Sequence, residues 1–225
     1  MQDPTFVHQA FADIAPRYVL TNHVCSLGID ILWRNEVARL VAQSSPRDIL
    51  DVATGSGDLA ATIQARCPDA RVVGTDFCAP MLEHARKRGL EHLLVADALD
   101  LPFADGSFDV VTVAFGLRNM ADYGAALREM ARVLRLGGRL LILDFSLPSP
   151  ALRPFYRFYL HKIIPRIAGW ITGQRGAYEY LGGSIEAFPS GQAMTDLILA
   201  NGFATADHRP LTFGVASIYE AVKGG

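Results

Sequence analysis

The run Ile49-Leu50-Asp51-Val52-Ala53-Thr54-Gly55-Ser56-Gly57-Asp58 constrains this chain more than any other stretch. It opens as the apolar segment of a buried strand and turns through two glycines one residue apart. It then passes into Leu59-Ala60-Ala61-Thr62-Ile63, whose composition suits a helix. Strand, glycine turn, helix is the first unit of a doubly wound α/β sheet, in which a ligand lies across the carboxyl ends of parallel strands. Glycine adopts positive φ without steric penalty, and its missing side chain lets a ligand approach the main chain. Alone, the stretch is ambiguous. Gly55-x-Gly57-x-x-Ala60 also satisfies a dinucleotide fingerprint, with Asp76 at the distance of a ribose-binding acid. A tight turn with no ligand is the third reading.

The remainder of the chain repeats the alternation. Apolar or β-branched runs at 48–53, 71–75, 93–96, 108–114 and 139–145 read as strands. Helical patterns fall between them at 57–66, 79–88 and 122–136, the last stopped by Gly137-Gly138. A helix over 192–201, N-capped by Ser190, and strands at 203–209 and 213–222 close the chain. The expected fold is α/β: a doubly wound, mostly parallel seven-stranded sheet with one reversed strand, Rossmann-like.

Two segments stand outside that rhythm. Residues 3–45 read as helical, with Phe6, Ala10, Phe11 and Ile14 on one face before Pro16. A second helix follows over 29–43, with Ile31, Leu32, Val37, Leu40 and Val41 inward. Residues 148–188 are rich in aromatics, Pro and Gly and read as a helical insert after the fifth strand. The expected organisation is one domain: a helical cover over 1–45, a ligand-binding core over 46–147, the insert over 148–189, and a closing helix and strands over 190–225.

A chain of 225 residues is ample for such a domain. Its net charge of -2 argues against a general nucleic-acid binder. Cys25, Cys67 and Cys78 have neither metal-site nor redox-pair spacing, so no metal site is expected. No secretory pattern opens the chain and no apolar run reaches the ~20 residues that span a bilayer, so a cytoplasmic protein is expected.

Three acids, Asp51, Asp76 and Asp97, fall at successive strand ends, where such a sheet holds its ligand. A carboxylate directly before the glycine turn would repel a pyrophosphate and favour a cation. S-adenosylmethionine carries an ammonium and a sulfonium, a ribose diol suited to Asp76, and an adenine amine suited to Asp97. Each Asp could otherwise serve as a simple helix or turn cap.

Beyond this point the motifs resemble a known family. Residues 51–58, Val73-Gly74-Thr75-Asp76, Asp97-Ala98-Leu99-Asp100-Leu101-Pro102-Phe103 and Phe108-Asp109 are similar to the successive motifs of class I S-adenosylmethionine-dependent methyltransferases. Phe115-Gly116-Leu117-Arg118-Asn119, residues 11–18 and residues 152–159 narrow the resemblance to the menaquinone/ubiquinone biosynthesis C-methyltransferase family, from about Phe6 to Lys223. The resemblance implies cofactor contacts at Thr54, Asp76, Asp97 and Ala98, with Asp51, Gly55 and Gly57 completing the candidate cofactor set. Ser56 replaces a more usual Thr. Ala114 stands where many members have Ser, which removes a hydroxyl contact, and Val19 stands where an acid is common.

The reaction implied is methyl transfer to a ring carbon of a prenylated quinol, with demethylmenaquinol the favoured acceptor. Another small lipid or phenol, or cofactor binding without catalysis, are the alternatives. Such a site must align donor and acceptor and stabilise developing oxyanion charge. Arg118 and Asn119, just past the fourth strand, are expected to face the strand-end mouth for that purpose. Tyr18, Tyr178 and His161 are alternative proton acceptors or relays. Tyr178 is grouped with Arg118 and Asn119 as the candidate catalytic set. Leu160, Ile163, Ile164 and Ile167 would supply an apolar groove for a prenyl tail. Arg153, Arg157, His161, Lys162 and Arg166 bracket them, which leaves peripheral membrane contact open, as a homodimer is also left open.

Overall fold

Parallel strands need crossovers, and helices make all but one of them here. The computed structural model describes residue 26 and residues 28–172 and 175–225, the side chains of 170–180 excepted. Its strands are β1 (Asp48–Val52), β2 (Arg71–Asp76), β3 (His92–Val95), β4 (Phe108–Ala114), β5 (Leu134–Phe145), β6 (Phe203–Leu211) and β7 (Ala216–Lys223). They form one sheet of order β3-β2-β1-β4-β5-β7-β6, and β7 runs antiparallel to both neighbours. The helices are α1 (Ile29–Ala42), α2 (Asp58–Arg66), α3 (Ala79–Arg86), α4 (Tyr123–Val133), α5 (Arg153–Phe158), α6 (Ile164–Thr172), α7 (Arg175–Ala187) and α8 (Gln192–Leu199). Helices make the crossovers from β1 to β2, β2 to β3 and β4 to β5, and an irregular segment makes the one from β3 to β4. The expected seven-stranded sheet with one reversed strand and a helical insert after β5 is what forms.

Side-chain alternation sorts β1 between two cores. Leu50 and Val52 join Val111, Val113, Leu140 and Ile142 under Leu127 and Met130 of α4. Ile49 joins Val72, Val110, Leu141 and Leu143 under Trp33, Val37 and Val41 of α1 and Leu59 and Ile63 of α2. Buried on both faces, the parallel strands read as nearly continuous apolar runs. Asp51 has the parity of Ile49, so its carboxylate points to the face that α1 and α2 cover. Its register partners are Gly74 on β2 and Thr112 on β4.

The insert builds a small core of its own. Leu160, Ile164, Ala168 and Ile185 pack together against Phe145, Leu147, Tyr156 and Tyr159. Between α5 and α6, residues Tyr159–Ile163 wind as a π-helical turn. A Cβ on Gly182 would lie 2.8 Å from the His161 Cε1, so α7 approaches that turn closely at a glycine, and a larger residue there would have to push the His161 ring aside.

Four local expectations are corrected. Ile31 and Leu32 are exposed; the buried stripe of α1 is Trp33, Val37, Ala38, Leu40 and Val41, set by the 3.6-residue period against the sheet. Helix α4 ends at Val133, because Leu134 is already extended and pairs with Phe108. Gly137-Gly138 therefore lie inside the irregular start of β5, with Gly137 at φ 73°. The cap of α8 is Gly191 at φ 61°, whose N–H donates to the Tyr219 hydroxyl at 2.9 Å, so Ser190 does not cap. Strand β3 stops at Val95, two residues before Asp97. The helix expected near Phe6–Ile14, together with Tyr18, Val19 and Cys25, lies outside the described residues, as does the side chain of Tyr178.

Candidate active site between strands β1 and β4

Strand order reverses between β1 and β4: β1 leads outward to β2 and β3, β4 to β5 and beyond. The carboxyl ends of these two strands diverge there, leaving a crevice. Both chains leave their strand through a strained residue. Ala53 sits at φ 51° and Phe115 at φ 58°, values that few non-glycine residues adopt. The loops approach so closely that a Cβ on Gly116 would lie 2.6 Å from the Ala53 Cβ. Sequence reasoning missed this strained pair. The only signal was that each residue directly follows a strand at the switch point.

The glycine turn is braced by carboxylates. Asp76, at the end of β2, accepts from the backbone N–H of Gly55 at 2.8 Å and of Cys78 at 2.9 Å. Thr54 N–H donates to the Thr75 carbonyl and its own carbonyl accepts from Gly57 N–H, each at 2.9 Å. Gly57, at φ 79°, starts α2, and a Cβ there would meet Leu90 at 2.7 Å. The backbone amides are thus fixed before any ligand arrives.

Asp51 lies beneath this turn and is 1% exposed. The hydroxyls of Thr54 and Thr112 donate to its two oxygens at 2.7 and 2.6 Å. Burial pushes its carboxyl up to about 6; the two hydroxyl hydrogen bonds oppose this, the nearby Asp76 charge adds to it, and Arg34 pulls the other way. Asp97 is exposed, and its side chain accepts from the Leu99 N–H at 2.9 Å.

Two cavities meet at Ala53. The larger, about 650 Å³, is walled by Asp76, Phe77, Asp97, Ala98, Leu99, Gly116, Asn119 and Met120. Its mostly apolar walls with a few polar groups are those of a small-molecule pocket. The smaller, about 350 Å³, is walled by Arg34, Asp51, Thr54, Gly55, Ser56, Asp58 and Phe115. The structure therefore brings together Asp76, Asp97 and Ala98 in one chamber and Asp51, Thr54 and Gly55 in the next. Gly57 stands behind them as the turn's hinge into α2. Two acids thus line the larger chamber, and a buried acid beside fixed amides lines the smaller.

The expected catalytic pair splits. Asn119 walls the larger cavity, and its Nδ2 donates to the Phe115 carbonyl at 3.3 Å. Arg118 walls neither of these two cavities. It is 4% exposed, with Nη1 on Asp144 Oδ1 at 2.8 Å and on the Phe115 carbonyl at 2.6 Å. Its guanidinium also stands 5.1 Å from the Phe145 ring centre. Leu117–Asn119 form a single 3₁₀ turn, which points residue 118 back at β5 and residue 119 outward. Arg118 is held as a buried ion pair, contrary to the expectation of a cation facing the mouth.

The insert reaches this cluster. The Tyr156 phenol is held well above its ordinary range by burial, opposed by the nearby charge of Arg118. His161 is half exposed to solvent beside Glu186, 3.4 Å away, and Glu186 also takes Arg157 at 2.7 Å. Among the described residues no cluster of His, Cys, Asp and Glu has metal-binding geometry, and no helix is long and apolar enough to cross a membrane.

Solved structures reproduce the fold. A SAM-dependent methyltransferase from Thermotoga maritima superposes with TM-score 0.70 at 19% identity, covering 96% of this chain and 98% of that one. The CurJ carbon methyltransferase superposes with TM-score 0.65 at 14% identity, covering 85% of this chain and 54% of that one. Sequence relatives are nearer. The demethylmenaquinone methyltransferase of Thermus thermophilus is 49% identical over 93% of this chain and 97% of its own, and that of Deinococcus radiodurans 46% over 96% and 92%. The ubiquinone/menaquinone biosynthesis C-methyltransferase of Bdellovibrio bacteriovorus is 40% identical over 97% and 96%. Residues 1–223 match the ubiE/COQ5 methyltransferase family, and with relatives this similar over nearly their whole length, the chain belongs to that family.

Proposed function

We propose that this protein transfers a methyl group from S-adenosylmethionine to a ring carbon of a prenylated quinol, with demethylmenaquinol as the acceptor. The observation that carries the reading is the two-chamber cavity at the β1/β4 crevice, built from the family's own motifs in a chain 49% identical to a demethylmenaquinone methyltransferase. When bound, the sulfonium supplies an activated methyl. Asp76 accepts from the ribose diol and Asp97 from the adenine amine. Ionised Asp51 sets a negative field at the amino-acid end. Asn119, on the wall facing the open side, donates a hydrogen bond to the acceptor oxygen as it gains phenolate character. Arg118 acts through position: it holds the Phe115 carbonyl and the start of the insert, and adds a fixed positive charge behind Tyr156.

The acceptor's tail resides in a bilayer, and the insert presents a face suited to one. Phe155 and Phe158 are exposed, 76% and 60%, on a stretch with Arg153, Arg157, Lys162 and Arg166. Residues 145–172 contain no carboxylate at all. Apolar rings among cations, of which Arg157 is paired with Glu186, suit peripheral contact with an anionic bilayer.

The test is quinone profiling in a host lacking its own enzyme. Expression of this chain is expected to convert the accumulated demethylated quinone to the methylated one. An unchanged profile from a folded, cofactor-binding protein would overturn the assigned acceptor.

A further inference from the structure

The amino-acid half of S-adenosylmethionine carries a carboxylate as well as an ammonium. The chamber described for it has two acids on its wall, Asp51 and Asp58, with Asp30 just behind, and a carboxylate placed beside them without a cation would be repelled. Two of these acids are neutralised locally: Asp58 pairs with Arg88 at 2.8 Å, and Asp30 pairs with Arg34. Among the described residues Asp51 accepts hydroxyl hydrogens alone, from Thr54 and Thr112.

Among the described residues the one guanidinium on the chamber wall is that of Arg34. It comes from α1, outside the strand-end motifs, and reaches the chamber because α1 packs on the face of the sheet to which Asp51 points. Arg34 is 9% exposed. Among the described residues its hydrogen-bond partner is Asp30, through Nη1, and its Cζ lies 5.4 Å from the Phe115 ring centre. A guanidinium has five N–H donors in a planar fork, so the bond to Asp30 leaves donors for a second carboxylate. Ser26 Oγ donates to the other oxygen of Asp30 at 2.6 Å, which holds the pair in place.

We propose that Arg34 is the anchor for the carboxylate of the cofactor's methionyl group, with Asp30 as its positioning residue. This rests on the cofactor reading above and deepens it. Ammonium and sulfonium then face Asp51, the carboxylate faces Arg34, and the short helix before β1 becomes part of the cofactor site.

The probe is decarboxylated S-adenosylmethionine, which keeps both positive groups and lacks the carboxylate, compared with S-adenosylmethionine by calorimetry. In the native protein S-adenosylmethionine is expected to bind more tightly by about tenfold to a hundredfold, the range of a hydrogen bond to a charged group. Arg34→Met should remove that preference while leaving decarboxylated S-adenosylmethionine within about threefold of its native affinity. Arg34→Lys should keep part of the preference, because the charge remains without the fork. Should Arg34→Met fail to fold because buried Asp30 has lost the guanidinium, the double variant Asp30→Asn/Arg34→Met removes both charges and is read the same way. A preference that survives in Arg34→Met, or equal weakening of both ligands, would overturn the anchor. A native protein that binds neither ligand would overturn the cofactor reading instead.

Discussion

Replacing Arg118 by Met asks whether this residue is chiefly a structural charge or a donor to the reaction. The side chain keeps its length and loses its charge. What remains is Asp144, 0% exposed on β5, whose carboxyl burial already pushes up and Arg118 pulls down. Removing one partner of a buried pair typically costs ~3–5 kcal/mol, because the other is left desolvated. For a domain of this size 1 kcal/mol moves Tm by about 2–4 °C, so the expected drop is about 6–20 °C. The deficit should also depend on pH. Without Arg118, the folded-state pKa of Asp144 rises further above its unfolded value, so the variant's folded state binds more protons than its unfolded state. Its stability must then fall as pH rises, and the gap to the native protein should widen from acidic to neutral pH. The assay is urea unfolding at several pH values, with methyl-transfer kcat and cofactor affinity measured on the same samples below Tm. A variant that melts within about 2 °C of the native protein while losing ~10²–10³ in kcat would refute this reasoning and restore Arg118 as an oxyanion donor.

Asp51 gives a second pH effect. Its folded pKa of about 6 exceeds the ordinary 3.8, so the ligand-free protein should gain roughly 3 kcal/mol from this group as pH falls through that window. The readout is the stability difference between native protein and Asp51→Asn, which cancels the opposing carboxylates; a difference flat from pH 4 to 7 would count against the buried-acid account. Cofactor affinity should weaken as pH drops below about 6, where Asp51 takes up its proton. Asp76→Ala should weaken cofactor binding by ~1.5–3 kcal/mol for each hydroxyl that loses a charged acceptor; because the carboxylate also holds Gly55 and Cys78, Asp76→Asn should fall between, and unchanged titration would remove Asp76 from the ribose. Phe155→Ala with Phe158→Ala should reduce sedimentation with phosphatidylglycerol vesicles and raise KM for a long-tailed acceptor, with cofactor affinity intact; an equal KM rise for a tailless quinol would make the insert's rings structural.

The sheet was legible because buried parallel strands are marked twice. Each is an apolar run, and β1, β2 and β4 are each followed by a helix of the length that a crossover needs. The glycine turn and its three acids were legible for a related reason: a ligand at strand ends demands particular chemistry at fixed offsets from the strands. Boundaries were less legible where two signals competed. Gly137-Gly138 looked like a helix stop, yet the burial of Leu134 in the sheet ended α4 earlier and left the glycines to an irregular strand. Ser190 has the chemistry of a cap, but the Tyr219 hydroxyl on the neighbouring strand β7 took hold of Gly191.

Charged side chains were the least legible, because their roles depend on which face they meet. Arg118 and Asn119 are adjacent in sequence, and strand-end proximity put both at the mouth. One 3₁₀ turn separates them by direction: residue 118 meets Asp144 across β5, and residue 119 meets the cavity. Arg34 was invisible for the converse reason. It lies seventeen residues before Asp51 in a helix whose apolar stripe explains its folding, and nothing local marks it as more than a surface cation. Its place follows only from combining two parities: the residue period of α1, and the alternation along β1 that turns Asp51 to the same side of the sheet. That combination also says how the site is assembled. The strand-end motifs furnish an anionic crevice by themselves, and the matching cation arrives only when α1 docks, so cofactor affinity and α1 docking should rise and fall together.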